Sequence, residues 1–396
     1  MILVEKHIIN GCVELDLLTL KCKKLYNRAN YLIRQEFIAN KKYLSLYDMC
    51  FDMKSDSNFI EIGNARIARG VLRILDANWK SFFATIKDWK SNKSKYKCRP
   101  NIPGYLDKGG KFNAIFTDGA FRIKNSKLKL STLDIEIDFQ NKDKKIIEVN
   151  IKPLPSGKYQ INIAYDHKEE KLKPNNNLYC SIDLGLNNLM TLTSNKHGLK
   201  PLLVNGRPLK SINQFYNKKL AKYKSELPKG IYNSKRINKL TEKRNNKIND
   251  YLHKSSKFLI DWCLKNNLNT IVIGYNEFWK CEINIGKRNN QNFVQIPFQK
   301  LVWFNQYKSR KNGINVKLND ESYTSKCSFL DIEEIHKHKN YLGLRAKRGL
   351  FISSIGRKIN SDVNGSLNIL RKAVPTAFAN GIEDIAVYPK RVKSFK

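Results

Sequence analysis

Two acidic residues stand at the ends of regular elements that apolar spacing predicts. Residues 177–193 read Asn-Leu-Tyr-Cys-Ser-Ile-Asp-Leu-Gly-Leu-Asn-Asn-Leu-Met-Thr-Leu-Thr, so Asp183 lies in an apolar run that turns at Gly185 into a second run. Alternating apolar residues bounded by Gly and Asn predict an antiparallel hairpin with the acid at the mouth of its turn. Far along the chain, residues 360–372 read Asn-Ser-Asp-Val-Asn-Gly-Ser-Leu-Asn-Ile-Leu-Arg-Lys. This places Asp362 at the start of a helix whose Val363, Leu367 and Leu370 share a face. A lone Asp in a strand is commonly a solvent-facing residue. Two acids, each held at the end of a regular element, can share Mg2+ ions, which take carboxylate oxygens and keep several waters.

The elements between them follow from periodicity. Residues 201–204 predict a third strand, and two helices follow at 210–225 and 234–266, broken at Pro228 and Gly230. The second helix has Ile237, Leu240, Ile248, Leu252, Leu259 and Cys263 as its buried stripe, with Lys243, Arg244 and Lys247 projecting elsewhere. Residues 270–274 are a fully apolar fourth strand, Pro297 is preset for the first turn of a helix that stops at Gly313, and residues 314–318 are a fifth strand. The expected product is an α/β domain on a mixed five-stranded sheet.

Upstream, residues 1–10 alternate as a strand, and Leu18, Cys22, Leu25, Ala29 and Leu32 recur at helical spacing. A second long helix, 64–89, puts Ile67, Val71, Ile74, Leu75, Phe82 and Ile86 on one face and Arg66, Arg69, Arg73 and Lys80 elsewhere. Any one such cation is ordinarily a solvated helix face. Together, in so basic a chain, they suit a helix lying along a nucleic-acid backbone. From 121 to 165 the pattern switches to period two, with turns at Asn141 and Gly157, which predicts a β meander closing into a small barrel with the N-terminal strand. The charged, Asn-rich stretch 166–177 is the expected domain boundary.

Composition narrows the partners. The 396 residues carry 73 Lys and Arg against 35 Asp and Glu, a formal net charge of +38 spread along the whole length. Such charge opposes compaction unless a polyanion neutralises it, so nucleic acid is the expected partner. No apolar run of roughly 18 residues and no signal peptide is seen, which argues against a membrane and for a soluble, intracellular, cytoplasmic protein. The eight cysteines form no Cys-x-x-Cys pair and read as reduced core thiols.

The Asp183 and Asp362 stretches, with Glu321-Ser-Tyr-Thr-Ser-Lys-Cys and Asp250-Tyr-Leu-His-Lys-Ser-Ser, resemble the TnpB family. These are transposon-encoded RNA-guided nucleases related to type V CRISPR effectors, with a RuvC-like domain of RNase H fold. The resemblance covers essentially the whole chain. It implies an α+β multidomain protein: a wedge-like β-barrel (1–12 and 100–168) interrupted by a helical recognition lobe (13–99). A RuvC-like nuclease domain follows (175–374), with a degenerate zinc-finger-like insert at about 325–358, and then a basic C-terminal tail (375–396). It also implies an RNA-guided DNA endonuclease of a mobile element that cuts beside a short flanking motif by two-metal hydrolysis. The partners would be a guide noncoding RNA and a double-stranded DNA target, the cofactor Mg2+ or Mn2+, and the chain a monomer or homodimer. The competing expectation is a nuclease-inactive RNA-guided DNA-binding repressor.

Two departures from the family pattern shape the site. The third acid of the family ends the fourth strand, where this chain has Gly274. An acid just past the fifth strand could reach the same metals, which makes Glu321 the candidate ahead of Glu277 or Glu282; the bland alternative is an exposed loop Glu. Of the four family cysteines only Cys327 remains, with the later pair falling on Ile352 and Ile355, so zinc is not expected. Apolar packing of Phe329, Leu330, Phe351 and Ile355 would replace it. His253 could contact a phosphate or be a hydrogen-bonded structural histidine. Tyr323, Thr324 and Ser325 offer hydroxyls near the acids, or serve as caps and turn residues.

Overall fold

The computed structural model describes residues 1–124, 127–141, 143–276, 291, 294–347, 349–379, 381, 387–393 and 395. The chain divides into two compact units, residues 1–168 and 169–396. Among the described residues no helix is long and apolar enough to cross a membrane.

In the first unit, β1 (Ile2–Asn10) leads into the helices α1 (Val13–Asn40), α2 (Leu46–Met53), α3 (Ser57–Ile60) and α4 (Ala65–Ser91). The strands β2 (Ala114–Thr117), β3 (Phe121–Lys124), β4 (Lys127–Leu130), β5 (Glu136–Asp138), β6 (Ile146–Pro153) and β7 (Lys158–Asp166) follow. The Asn64 side chain caps α4 by accepting from the Arg66 amide. The apolar stripe of α4 lies on β2, where Gly70 allows close approach, since a Cβ there would stand 3.0 Å from Ile115. The strands pair as two sheets, β1-β7-β6-β2 and β3-β4-β5. Among the described residues no ladder closes them into the expected barrel.

The second unit is built on β8 (Tyr179–Leu184), β9 (Asn188–Ser194), β10 (Leu202–Asn205), the helices α5 (Arg207–Ser225) and α6 (Lys235–Lys265), and β11 (Thr270–Gly274). Beyond these come α7 (Phe298–Lys311), β12 (Asn315–Asn319), the short strands β13 (Leu344–Lys347), β14 (Leu350–Ile352) and β15 (Lys358–Ile359), α8 (Ser361–Ala373) and β16 (Lys390–Val392). The main sheet runs β12-β11-β8-β9-β10-β16, with β8, β9 and β10 antiparallel in turn. The β11 strand is parallel to both β8 and β12.

The sheet is mixed, as the strand pattern predicts, but has six strands and not five. The sixth comes from the stretch expected to be only a basic tail: Lys390, Arg391 and Val392 pair in parallel with Leu202, Leu203 and Val204. Phe395 then packs 5.5 Å from Tyr251 and 5.7 Å from Phe258. Period two sorts the sheet residues. Cys180, Ile182, Leu184, Ile271 and Ile273 join the core with α6 and α7, whereas Tyr179 and Val272 pack on Ile369 and Leu370 of α8. Ser181 and Asp183 share that second face, and Ser181 donates or accepts among Thr193 and Ser366 at 2.6 and 3.2 Å in a fully buried hydroxyl cluster. These bonds fix α8 across β8 and β9.

Candidate active site

Asp183 is the one acidic residue of a strand otherwise buried along its length. Helix α8 crosses it at Gly365, where a Cβ would stand 3.0 Å from Asp183 Oδ2. Asp362 opens α8 beside it. Asn360 caps that helix, its Oδ1 accepting from the amides of Asp362 (3.0 Å) and Val363 (3.3 Å). The Asp362 carboxylate accepts from Asn188 Nδ2 at 2.7 Å and lies 3.8 Å from the Arg345 guanidinium.

Gly274 ends β11 one residue beyond the Ile273–Ile182 pair, and so beside Asp183. Its other neighbour is Asn319 at the end of β12. Two residues further on, Glu321 folds back over Gly274: a Cβ on that glycine would stand 2.9 Å from Glu321 Oε2. Asn276 accepts from the Glu321 amide at 3.1 Å, and the Glu321 carbonyl accepts from Thr324 Oγ1 at 2.8 Å. The turn is tight enough to hold Tyr323 at φ +67°, a left-handed conformation costly for a bulky residue. Asn364 and Asn368, both fully buried on α8, anchor the following loop by bonding Cys327, Phe329 and Thr324 backbone groups at 2.8–3.0 Å.

Asp183, Glu321 and Asp362 thus line one cleft of about 410 Å³, with Asn188, Ser361 and Arg345 also in its wall. Burial, then the charges of Asp362 and Glu321, push the Asp183 carboxyl well above the usual carboxylate range, with Arg345 opposing. Burial, then the charge of Asp320, pushes Glu321 up to about 7. Asp183, buried and facing two further carboxylates, belongs to an oxygen-donor set that a divalent cation would neutralise. Among the described residues no three His, Cys, Asp or Glu side chains close into a finished cage. Mg2+ suits such an open set, because it is commonly held by one or two carboxylates plus substrate phosphates and waters.

The other candidates are placed as follows. Glu277 and Glu282 lie outside the described residues. Arg66 bonds the Asp118 carbonyl, Arg73 pairs with Glu148 at 2.6 Å, Lys80 pairs with Asp76 at 2.8 Å, and Arg69 is exposed on the same helix. Lys243 and Lys247 are exposed on α6, but Arg244 between them is half-buried, donating to Asn213 and the Gln295 carbonyl at 2.9 Å each. It staples α6 to α5 and to the start of α7. His253 stacks on Phe304 at 3.9 Å.

In the insert, Phe329, Phe351 and Ile359 pack with Val363 and Leu367, and Leu330 packs against them in part. Ile355, expected there, is 75% exposed, because it sits at the tip of the turn between β14 and β15. The stronger tie was missed: buried Glu333 accepts from the amides of Ser328 (2.6 Å) and Leu342 (2.9 Å). Arg345 was missed too, since it reaches the cleft from a hairpin distant in sequence.

A RuvC-like fold, with acidic side chains at the end of β8, just past β12 and at the start of α8, is the class that this sheet order and cleft define. The family model OrfB_IS605, described as "Probable transposase", matches residues 162–280, and the Cas12f1-like TNB domain model matches residues 298–369. A TnpB-like protein of Acidianus two-tailed virus is 25% identical over 396 residues, spanning 89% of this chain and 81% of the relative. In fold, the chain is similar to the Cas12f1 protein of a Cas12f1–sgRNA–target DNA complex (TM-score 0.56, 16% identity, 89% of this chain and 81% of that one). It is likewise similar to the mini-RNA-guided endonuclease CRISPR-Cas_phi3 (TM-score 0.51, 10% identity, 94% and 92%). Together these matches make the chain similar to the TnpB family.

Proposed function

We propose that this protein is an RNA-guided DNA endonuclease of a mobile element, with Asp183, Glu321 and Asp362 as its catalytic acids. The observation that carries the reading is the Glu321 carboxylate standing over Gly274, in the space where the family's third acid would begin. A divalent metal bound there would activate a water and stabilise the leaving oxygen of an in-line displacement at phosphorus. Asp183, Glu321 and Asp362 would hold it. Asn188 orients the Asp362 carboxylate through its 2.7 Å bond, and Arg345 brings a positive charge to the wall of the cleft. The first unit, with its cationic α4, takes the roles of wedge and recognition lobe, and the guide RNA supplies the sequence reading.

The test is target cutting by protein coexpressed with its own flanking noncoding RNA, in Mg2+ or Mn2+. Asp183→Ala, Asp362→Ala and Glu321→Gln are expected to abolish cutting and keep RNA and target binding. Absence of a discrete copurifying RNA, or normal cutting by any of the three variants, overturns the assignment concerned.

A further inference from the structure

Helix α7 shows solvent a face that the sheet does not use. Its Phe298, Leu301, Val302 and Phe304 are buried, whereas Trp303 is 58% exposed. Trp303 lies 5.0 Å from the Tyr307 ring and 5.6 Å from Phe304. Phe304 in turn carries His253 of α6, stacked at 3.9 Å with the ring planes 26° apart. Cations flank these rings: Lys300 and Lys308 place Nζ 5.6 and 5.8 Å from the Phe304 centroid.

We propose that Trp303 is a stacking site for unpaired bases of a single-stranded nucleic acid. The strand's phosphates would run along Lys300. Every base has a π-face, so an exposed indole beside lysines binds single strands with little regard to sequence. A second copy of this chain is a poor occupant, because two surfaces of a molecule with net charge +38 repel each other. Duplex is also a poor one, since its bases are already stacked inside. The inference rests on the nucleic-acid function proposed above and locates where bases outside a duplex sit.

The experiment uses the full chain, freed of nucleic acid at high salt. Its binding to a uridine oligonucleotide, a thymidine oligonucleotide and a duplex of equal length is measured across a salt series. Trp303→Ala is expected to weaken single-strand binding roughly tenfold at unchanged slope of log affinity against log salt, and to leave duplex binding alone. Trp303→Phe should restore most of the affinity, and Lys300→Gln should instead reduce the slope. A larger loss on uridine points to the guide as the occupant, and a larger loss on thymidine to a DNA strand displaced from its complement. If the parent chain binds neither single strand nor duplex, the RNA-guided reading itself falls. If the parent binds and Trp303→Ala binds equally well, or loses slope instead of affinity, or changes its mass in solution, the stacking site alone is overturned.

Discussion

Gly274 is defined by what it leaves room for. A methyl group there would stand 2.9 Å from Glu321 Oε2 and 2.5 Å from Ile369 Cδ1. The isoleucine tip can turn away, but the carboxylate must move off the cleft. Gly274→Ala should therefore lower target cutting on the order of hundredfold, the cost of a misplacement near 1 Å, with target affinity unchanged; equal cutting rates would remove Glu321 from the reaction. Glu321 also sets a pH dependence. Its folded pKa of about 7 lies above its ordinary 4.5, so the folded state holds the extra proton between those values. Its contribution to stability is then fully present below about 4.5 and lost as pH rises to about 7. In chelator, the stability of the parent chain relative to Glu321→Gln should fall across that window and level off above it, as urea titrations at several pH values would show. Cutting should rise through the same window. The strand logic that led from Gly274 to Glu321 was legible, because neighbouring parallel strands end together. Asn188 was not, since an Asn beside another Asn after a glycine reads as turn chemistry. Asn188→Ala should cost roughly 10- to 100-fold in cutting, as the loss of a group that orients a ligand does.

At the scale of elements, α8 does two jobs at once. Its apolar residues pack on the sheet, while Asn364 and Asn368 bind the loop that follows Glu321. Two asparagines four residues apart, each beside apolar residues of one helix, were a signal available in the sequence, and it points to a buried partner for each amide. Glu333 gave no such signal, because a Glu between Asp331 and Glu334 looks solvated until its burial is known. Its carboxylate bonds two amides across the insert, joining chain segments much as a bound ion would. Glu333→Ala should cost about 3 kcal/mol, the scale of two charge-assisted hydrogen bonds. It should also loosen amide protection at Ser328 and Leu342, whereas a zinc chelator should leave the melting temperature unchanged; a drop with chelator would show that a metal shares the work. The main strands and long helices were legible from periods of two and 3.6 residues. The sixth strand was not, because three residues reading Lys-Arg-Val carry no period.

Over the whole molecule, the net charge of +38 favours a polyanionic partner. RNA affinity should fall steeply with salt: about 6–10 phosphate contacts correspond to a loss of roughly 10³–10⁵ between about 50 and 200 mM. A flat salt series would show that the cations serve internal contacts, such as those of Arg244 with Asn213 and Gln295. The pairing of β10 with β16 has a consequence in time. On the ribosome, residues 202–205 are made long before residues 390–392, and at roughly 5–20 residues per second the delay is roughly 10–40 s. Throughout it the outer edge of β10 lacks its neighbour, while the first unit is already complete. A nascent chain can therefore own a finished N-terminal unit before its nuclease sheet is closed. A chain stopped at residue 387 should keep that unit protease-resistant while the rest aggregates through the open edge, a difference that limited proteolysis of the soluble and pelleted fractions would measure.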